Sequence, residues 1–331
     1  MISMRRATAT IVYMGEDLTT SLEKKTDKFT YNDPESGSSD DCSLTICDPD
    51  EKWIGPYFPN LGDKITAIIT VLDWRFPGDT RVLNCGDFVM DDPGFSGKPL
   101  KVSFKAVSKP ADGAFSTQKR TQVWENVTIQ NMAQEIASRS GLTLQYTASE
   151  IKIDSVEQND QEDSNFIKKM CEDYGLSLKT YCSRLVIFDR ETYKNMPAVC
   201  TIYREDMISW DFKTSLAGTY TGGKMTYTDP DSEEEIEAKV GTEQRLLSVN
   251  GKADSREDAE KKIKAEVNKA NEEETTMSVT IPGNPDLVSS QCVEISGLKK
   301  ADGKYYVKKV THSVGGGYTT KLELSKVVAS I

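Results

Sequence analysis

Residues 281–326 near the end of the chain read IPGNPDLVSSQCVEISGLKKADGKYYVKKVTHSVGGGYTTKLELSK. Runs of β-branched and aromatic residues in this segment are separated by Gly or Pro, which is the pattern of short β-strands. The Gly315-Gly-Gly run lies between two such strands and is typical of a hairpin loop. No Lys-Ser or Lys-Thr follows it, so it does not match a phosphate-binding loop. Short antiparallel strands in close succession favour a small barrel.

Outward from this segment, the bulk composition is that of an ordinary folded protein. Of 331 residues, 37% are apolar and 28% are charged, which supports compact cores. No stretch reaches the roughly 18 apolar residues that a membrane helix needs. The N-terminus, Met1-Ile-Ser-Met-Arg-Arg, lacks the apolar run of a secretion signal. We therefore expect a protein made in a cytoplasm, with no membrane segment.

The net charge is −11, and the Lys and Arg residues form no basic stripe. Stable binding to nucleic acid depends on Lys and Arg that meet phosphates, so we expect none. An acidic surface would suit a channel through which DNA slides without sticking, although acidity is also common in plain soluble proteins.

Candidate catalytic and metal-binding residues are sparse. The seven cysteines contain no Cys-x-x-Cys pair, the closest two being Cys42 and Cys47, and the single histidine is His312. Zinc sites need tighter Cys and His clusters, and a Ser-His-Asp site would have to be built on His312. Because His312 alternates with Val310 and Val314, we interpret it as a partly buried, hydrogen-bonded strand residue. We expect no catalytic, cofactor-binding or metal-binding residues, no cofactor and no enzymatic activity.

Acidic and aromatic residues leave two alternatives open. Neighbouring carboxylates such as Asp40 and Asp41 point to opposite faces of a strand, which disfavours the paired carboxylates of a glycosidase without excluding them. Tryptophans in β-domains are mostly core residues, but exposed and aligned ones would line a sugar-binding groove. The four tryptophans are Trp53, Trp74, Trp124 and Trp210.

Residues 1–110 have an all-β pattern, with period-two alternation interrupted by Gly, Pro and Asp turns. Such spacing means a barrel or a sandwich, and we assign an N-terminal β-barrel. The predicted strands are Ala7–Tyr13, Lys28–Tyr31, Cys42–Cys47, Asp63–Leu72, Arg81–Met90 and Leu100–Val107.

Residues 111–199 change to a helical period and predict an α/β domain with two helices. Apolar residues from Ile129 to Ala137 recur at i, i+3, i+4, i+7 and i+8, with Thr128 as N-cap and Gly141 after the helix. A second helix follows the same logic through Phe166 and Met170, capped by Asp163 or Ser164 and ended by Gly175. A Leu-x-Leu strand follows each glycine, and Arg184–Phe188 closes the unit as a hairpin partner.

Residues 200–331 return to β and predict a second β-barrel with an inserted helix near 255–271. The acidic run from Asp229 to Glu237 is interpreted as a solvated loop. Ser255-Arg-Glu-Asp is a capping box, Ala259 and Ile263 lie on the apolar face of the helix, and Asn271 ends it.

Motifs in a shared order along the chain resemble the phage late control protein D family, the baseplate hub proteins of contractile tails, and the hub-like half of type VI secretion spikes. Each motif is weak alone, but their order extends over some 300 residues. They are Phe29-Thr-Tyr-Asn-Asp, Gly37-Ser-Ser-Asp-Asp, Trp53, Pro59, Gly62-Asp63, Cys85-Gly-Asp-Phe-Val, Arg120 and Trp124 at the first helix, Asp163-Ser-Asn-Phe-Ile, Tyr174-Gly, Ala259, Pro282-Gly-Asn-Pro, Tyr306-Val and His312.

This resemblance implies an α+β, mainly β chain with two small antiparallel β-barrels and an intervening α/β domain, assembled as a trimeric ring. Such a ring adapts a six-fold tail tube to a three-fold central spike and leaves a channel. The implied partners are two further copies, the spike, tail tube and tape measure proteins, and the baseplate wedge proteins. The implied location is the baseplate of a virion or tail-like particle, assembled in the bacterial cytoplasm.

Two other functions stay open at this point. One is a tail-associated peptidoglycan hydrolase, which predicts a cleft with a raised-pKa carboxyl group. The other is a carbohydrate-binding adhesion module, which predicts aligned, exposed tryptophans.

Overall fold

The computed structural model describes residues 5–17, 26–108, 114–228 and 234–328. These residues are mainly β with helices concentrated in the middle of the chain, so the predicted α+β, mainly β class is confirmed. No described helix is both long enough and apolar enough to span a membrane.

The helices and strands follow the three predicted segments. The first segment holds β1 (Arg6–Tyr13), β2 (Glu16–Asp17), β3 (Thr26–Pro34), β4 (Asp41–Cys47), β5 (Lys64–Leu72), β6 (Thr80–Ser96) and β7 (Lys101–Val107). The middle holds α1 (Ala114–Thr117), β8 (Lys119–Thr128), α2 (Ile129–Arg139), β9 (Thr143–Thr147), β10 (Lys152–Glu162), α3 (Asp163–Asp173), β11 (Leu176–Tyr181), β12 (Arg184–Asp189) and α4 (Arg190–Asn195). The last holds β13 (Thr201–Tyr203), β14 (Ser209–Thr214), β15 (Gly222–Thr228), β16 (Glu235–Gly241), β17 (Leu246–Val249), α5 (Arg256–Asn271), β18 (Thr275–Pro282), β19 (Cys292–Ser296), β20 (Gly303–Val314) and β21 (Tyr318–Lys326).

One 13-stranded sheet joins the first and last segments. Its main path runs β14-β18-β21-β20-β3-β4-β7-β6-β5-β1-β2, and β19 pairs with both β13 and β20. Strand β20 is the link, because its first residues pair with β19 and its last with β3. The change of neighbour coincides with a register shift between Val307 and Lys309, where a bulge bends the strand.

The expectation of two separate barrels is not confirmed, since no sheet of the described ranges closes on itself. Both segments are rolled instead. In the first, β1 returns to contact β20, and in the last, the edge strands β13 and β14 follow each other through a short 3-10 turn, Arg204–Asp206. The sharing of β20 is the physical reason that two independent barrels do not form.

Four hydrophobic cores fill the fold. The first lies inside β1–β7, where β5 buries Ile65, Ala67, Ile69 and Val71 in strict alternation, and it also takes in Tyr318 of β21. The second fills the middle segment, the third lies between β18 and β21, and the fourth lies beneath α5. The boundaries at 110 and 199 stay predictions.

The middle segment confirms both predicted helices and corrects one cap. Thr128 caps α2 by accepting a hydrogen bond from the Asn131 amide at 3.1 Å. Helix α3 starts after Glu162, which makes no side-chain cap bond, and Asp163 is bonded to arginines instead of capping. Strands β9 and β11 flank β12, the first parallel and the second antiparallel.

A two-stranded ribbon of β8 and β10 was not predicted from the sequence. The resemblance assigns Arg120 and Trp124 to the entry of the first helix, and both lie in β8 instead. Their side chains alternate with exposed residues along the strand, and a short ribbon of this kind carries few apolar positions to reveal it.

The last segment confirms the inserted helix, whose N-cap Ser255 accepts from the Asp258 amide. The predicted acidic loop is wrong in part. Residues 229–233 lie outside the described residues, but Glu235 to Glu237 already belong to β16, which pairs with β15. Alternating charged residues there face solvent on one side of a strand.

Close packing of α5 onto β15 generates a test. A Cβ atom added to Gly223 would lie 2.6 Å from Cγ2 of Ile263 and 2.8 Å from Cγ2 of Val267. Because both contacts are buried, we expect Gly223→Ala to destabilise the protein by about 1–3 kcal/mol through overpacking. Thermal unfolding followed by circular dichroism measures this. Thr226→Ala, at an exposed position of the same strand, is the control, and equal melting temperatures for the two variants would contradict the packing argument.

Candidate functional site

The single histidine lies in the core. Nδ1 of His312 is 2.8 Å from the Tyr318 hydroxyl and Nε2 is 3.1 Å from the Leu287 carbonyl, while the ring stacks on Tyr31. Burial lowers the pKa of His312 to about 4, so the imidazole is neutral at physiological pH. The position agrees with the structural interpretation of this residue. No carboxylate directly orients the ring, as a Ser-His-Asp arrangement requires.

The cysteines and carboxylates are dispersed. All seven thiols are free, with Cys42, Cys85, Cys171 and Cys292 buried, and burial raises their pKa values. In the described ranges, no three His, Cys, Asp or Glu side chains come together as metal ligands.

A cleft of about 350 Å³ lies where the first and middle segments meet. Glu162 is the one acidic residue in its lining, whereas a glycosidase needs two carboxyl groups across the scissile bond. Lys168 closes part of the cleft by donating from Nζ to the Gly37 carbonyl at 3.0 Å. This geometry disfavours the hydrolase alternative.

The tryptophans are not aligned on the surface. Trp124 is buried, Trp53 and Trp74 are half-buried in packing contacts, and only Trp210 of the four is exposed. Trp53 packs edge-on against Phe104 with ring centroids 5.0 Å apart. A sugar-binding row of tryptophans is therefore absent from these four positions.

The most concentrated constellation of charges is a buried ion-pair network, here called the junction, which joins the three segments. It balances four acidic side chains against four basic ones, all largely buried. Its members are Asp33, Glu35, Asp40, Lys179, Arg190, Lys194, Glu272 and Lys308.

One half of the junction is centred on Lys179 of β11. Its Nζ is 2.5 Å from Asp33 Oδ1 and 3.0 Å from Asp40 Oδ1, and Tyr31 donates to the other oxygen of Asp40 at 2.7 Å. Asp33 also accepts bonds from the amide and the hydroxyl of Ser289, both at 2.7 Å. Asp33 therefore contacts the middle segment and the last segment at once.

The other half is centred on Arg190, the first residue of α4. Its Nε donates to Glu35 Oε1 at 3.0 Å, and its Nη1 donates to Glu272 Oε1 at 3.3 Å. Glu272, which follows α5, also pairs with Lys194 at 2.8 Å and with Lys308 of β20 at 3.4 Å. Ser177 donates a short hydrogen bond to Glu35.

Local structure places these side chains on shared faces. Ser177 and Lys179 are two residues apart on β11, so they point to the same side of the sheet. Arg190 and Lys194 are four residues apart on α4, and Asp189 caps that helix by accepting from the Thr192 amide at 2.7 Å. The sequence reasoning missed the junction because such spacing of charged residues is also that of a solvated face.

Burial and pairing set the electrostatics of the junction. Burial, which outweighs Lys179, raises the pKa of Asp40 to about 6. Burial lowers the pKa of Lys179, but Asp33 and Asp40 outweigh it, so the net pKa is raised. Burial likewise raises the pKa of Glu272, yet Arg190, Lys194 and Lys308 bring it below its ordinary value. The pairs at Lys179 and Glu272 thus keep their charges in the interior at neutral pH.

The junction is suited to holding domains, not to chemistry. Each charge is taken up by a partner of opposite sign in the protein, and none faces an open pocket large enough for a substrate apart from Lys179 at the cleft. Buried charges that are fully paired fix the relative orientation of the elements that carry them. The candidate functional feature is therefore a rigid multidomain scaffold.

Comparisons with known proteins agree with a scaffold. The model of a family described as YQBQ-like matches residues 114–325. A curated relative, the probable baseplate hub protein of Escherichia phage 186, is 22% identical over 370 residues, which cover 96% of this chain and 92% of that protein. The resemblance to tail hub proteins stated from the sequence is confirmed.

Solved structures share the fold at low sequence identity. The tail protein from Neisseria meningitidis MC58 aligns with a TM-score of 0.75 at 12% identity, covering 97% of this chain and 96% of that one. A component of the E. coli type VI secretion system, itself similar to the T4 bacteriophage tail proteins gp27 and gp5, aligns with a TM-score of 0.57 at 10% identity. That alignment covers 92% of this chain and 74% of the other.

Removal of one charge from the junction tests its structural role. Arg190→Met leaves Glu35 and loosens Glu272 inside the protein, and breaking a buried pair in this way costs about 3–5 kcal/mol. We expect a large fall in melting temperature, measured by differential scanning calorimetry. Arg256→Met is the control, because Arg256 pairs with Glu260 on an exposed helix face, where a pair contributes at most about 1 kcal/mol. Similar melting temperatures for both variants would contradict the proposed role of the junction.

His312 generates a pH-dependent test. Its pKa in the folded state, about 4, is below the ordinary 6.5, so the stability it contributes is complete above pH 6.5 and lost as pH falls through 4. The shift corresponds to about 3 kcal/mol. We expect the stability difference between the wild type and His312→Asn to shrink by this amount between pH 7 and pH 4 in urea titrations. Tyr318→Phe keeps the imidazole and should keep the wild-type pH slope; a slope that follows Tyr318 instead would contradict the assignment.

Proposed function

The chain belongs to the YQBQ-like family, and we propose that it is a structural hub protein in the baseplate of a contractile phage tail or a related injection system. The observation that carries this proposal is the extent of the likeness. Nearly the whole chain superposes on nearly the whole of a tail protein, and the same span aligns with a probable baseplate hub protein.

In the finer form of the proposal, three copies form a ring that adapts a six-fold tail tube to a three-fold spike. Each copy contributes two rolled β units, so six such units surround a channel. The units are held by β20 and by the junction, which supports a subunit that acts as one rigid body. The three predicted domains, 1–110, 111–199 and 200–331, are part of this proposal.

The proposed partners are the two other copies, the central spike protein, the tail tube protein, the tape measure protein and the baseplate wedge proteins. The net charge of −11 supports a channel wall that does not retain DNA during passage. We place the protein in the baseplate of the assembled particle, after assembly in the bacterial cytoplasm.

The ring makes a direct prediction about mass. Three copies of a 36.8 kDa chain weigh about 110 kDa, and a closed C3 ring should show a central hole. Light scattering with size-exclusion chromatography, followed by negative-stain imaging of the same peak, measures both. The measurement is repeated with the cognate spike protein added, because a ring that needs its spike to close is still a hub. A chain that remains monomeric in both conditions would overturn the ring.

A second test addresses catalysis. We propose that the protein has no enzymatic activity, and we expect no clearing when it is run in a gel that contains peptidoglycan. The junction variant Arg190→Met serves as a protein control, and a phage lysozyme serves as the positive control. Clearing by the wild-type band would replace the scaffold proposal with the hydrolase alternative.

A further inference from the structure

Two exposed apolar surfaces lie at opposite ends of the 13-stranded sheet. The first, here called the β14 flank, consists of Tyr203, Ile208 and Trp210. The second, here called the aromatic loop, consists of residues 53–61 between β4 and β5. Together they hold many of the large apolar side chains that are exposed in the described ranges. Contiguous exposed apolar groups of this kind mark interaction surfaces.

The β14 flank is an unfinished core edge. Trp210 pairs with Val279 and Phe212 pairs with Met277, so these side chains lie on the same side of the sheet as the third core. Val279 and Met277 are buried, yet Trp210 remains 46% exposed, and Ile208 is 59% exposed. In the described ranges, β14 has a neighbouring strand, β18, on one side only. The apolar row along β14 therefore lacks a cover from its own chain there.

The aromatic loop is held rigidly with its apolar tips outward. The carboxylate of Asp48 accepts from the amides of Lys52 and Trp53, at 3.2 and 2.8 Å, and Trp53 packs into the first core. Tyr57 is 60% exposed and Leu61 is 71% exposed. Order before binding lowers the entropy that association loses.

Their positions fit a head-to-tail contact. Strand β14 begins the order of the sheet and β2 ends it, and the loop lies at the β2 end because Trp53 packs against Tyr13 of β1 with ring centroids 5.7 Å apart. A cyclic trimer has a heterologous interface, which joins two different patches on neighbouring copies. Two unlike apolar patches at opposite ends of one sheet meet that requirement.

We propose that the β14 flank of one copy packs against the aromatic loop of the next copy. This inference rests on the proposed ring and names the surfaces that close it. Trp210 and Ile208 cover the loop residues Tyr57 and Leu61, and the open side of β14 faces the neighbouring subunit.

A photocrosslink tests which surfaces meet. Trp210→p-benzoylphenylalanine is introduced into the full chain, and the assembled ring is irradiated and digested with trypsin. Cleavage after Lys52 and Lys64 releases residues 53–64 as one peptide, which contains the aromatic loop. We expect a covalent dimer in which residue 210 is joined to this peptide. The same probe at Leu216, which is 71% exposed outside both surfaces, should give no such link. A link from residue 210 to any other peptide would overturn the proposal.

Charge substitutions give an independent test by sedimentation velocity. We expect Trp210→Glu and Leu61→Glu each to weaken ring formation at least ten-fold, with melting temperatures close to that of the wild type, since both side chains are exposed. Leu216→Glu should assemble like the wild type. A wild-type ring that tolerates both substitutions overturns the contact but leaves the hub proposal standing. A wild-type chain that never associates, even with its spike protein, overturns both.

Discussion

The fold depends on the pairing of charges that lie away from water. Four carboxylates and four basic groups meet where the three segments of the chain adjoin, and each would be costly if left alone in the interior. The pairs restrict how the segments can be arranged. Arg190 reaches Glu35 and Glu272 together only when the first segment, α4 and the end of α5 are in one geometry. Apolar contacts supply cohesion at these boundaries, but they tolerate sliding in a way that bidentate and bridging ion pairs do not.

Backbone continuity reinforces the same arrangement. Strand β20 carries hydrogen bonds to β19 at one end and to β3 at the other, so the two rolled units share a strand instead of a flexible linker. Side chains follow this division, with Val307 and Val310 in the third core and Val314 in the first. A scaffold that transmits position from a tube to a spike requires such stiffness, and here stiffness comes from one strand and one charge network.

Much of the fold could be predicted from the sequence because its signals are local. The six strands of the first segment, the stripe from Ile129 to Ala137 and the Ser255 cap all follow from spacing within about ten residues, and all are present. Features that depend on distant partners could not be predicted in this way. The junction joins Glu35 to Arg190 and Asp33 to Ser289, pairs separated by 155 and 256 residues. The shared strand β20 was missed for the same reason, since its pattern is that of any strand and only its neighbours reveal its role.

The late position of β20 also bears on how the protein is made. Thr311 of this strand bonds to Asn32, 279 residues earlier, which completes the sheet of the first segment. During synthesis the N-terminal half of the chain is therefore translated, and left with an open sheet edge at β3, long before its final strand leaves the ribosome. Folding of the first unit is tied to completion of the last. A truncated chain cannot finish either rolled unit, so incomplete subunits lack the form that assembles into a particle.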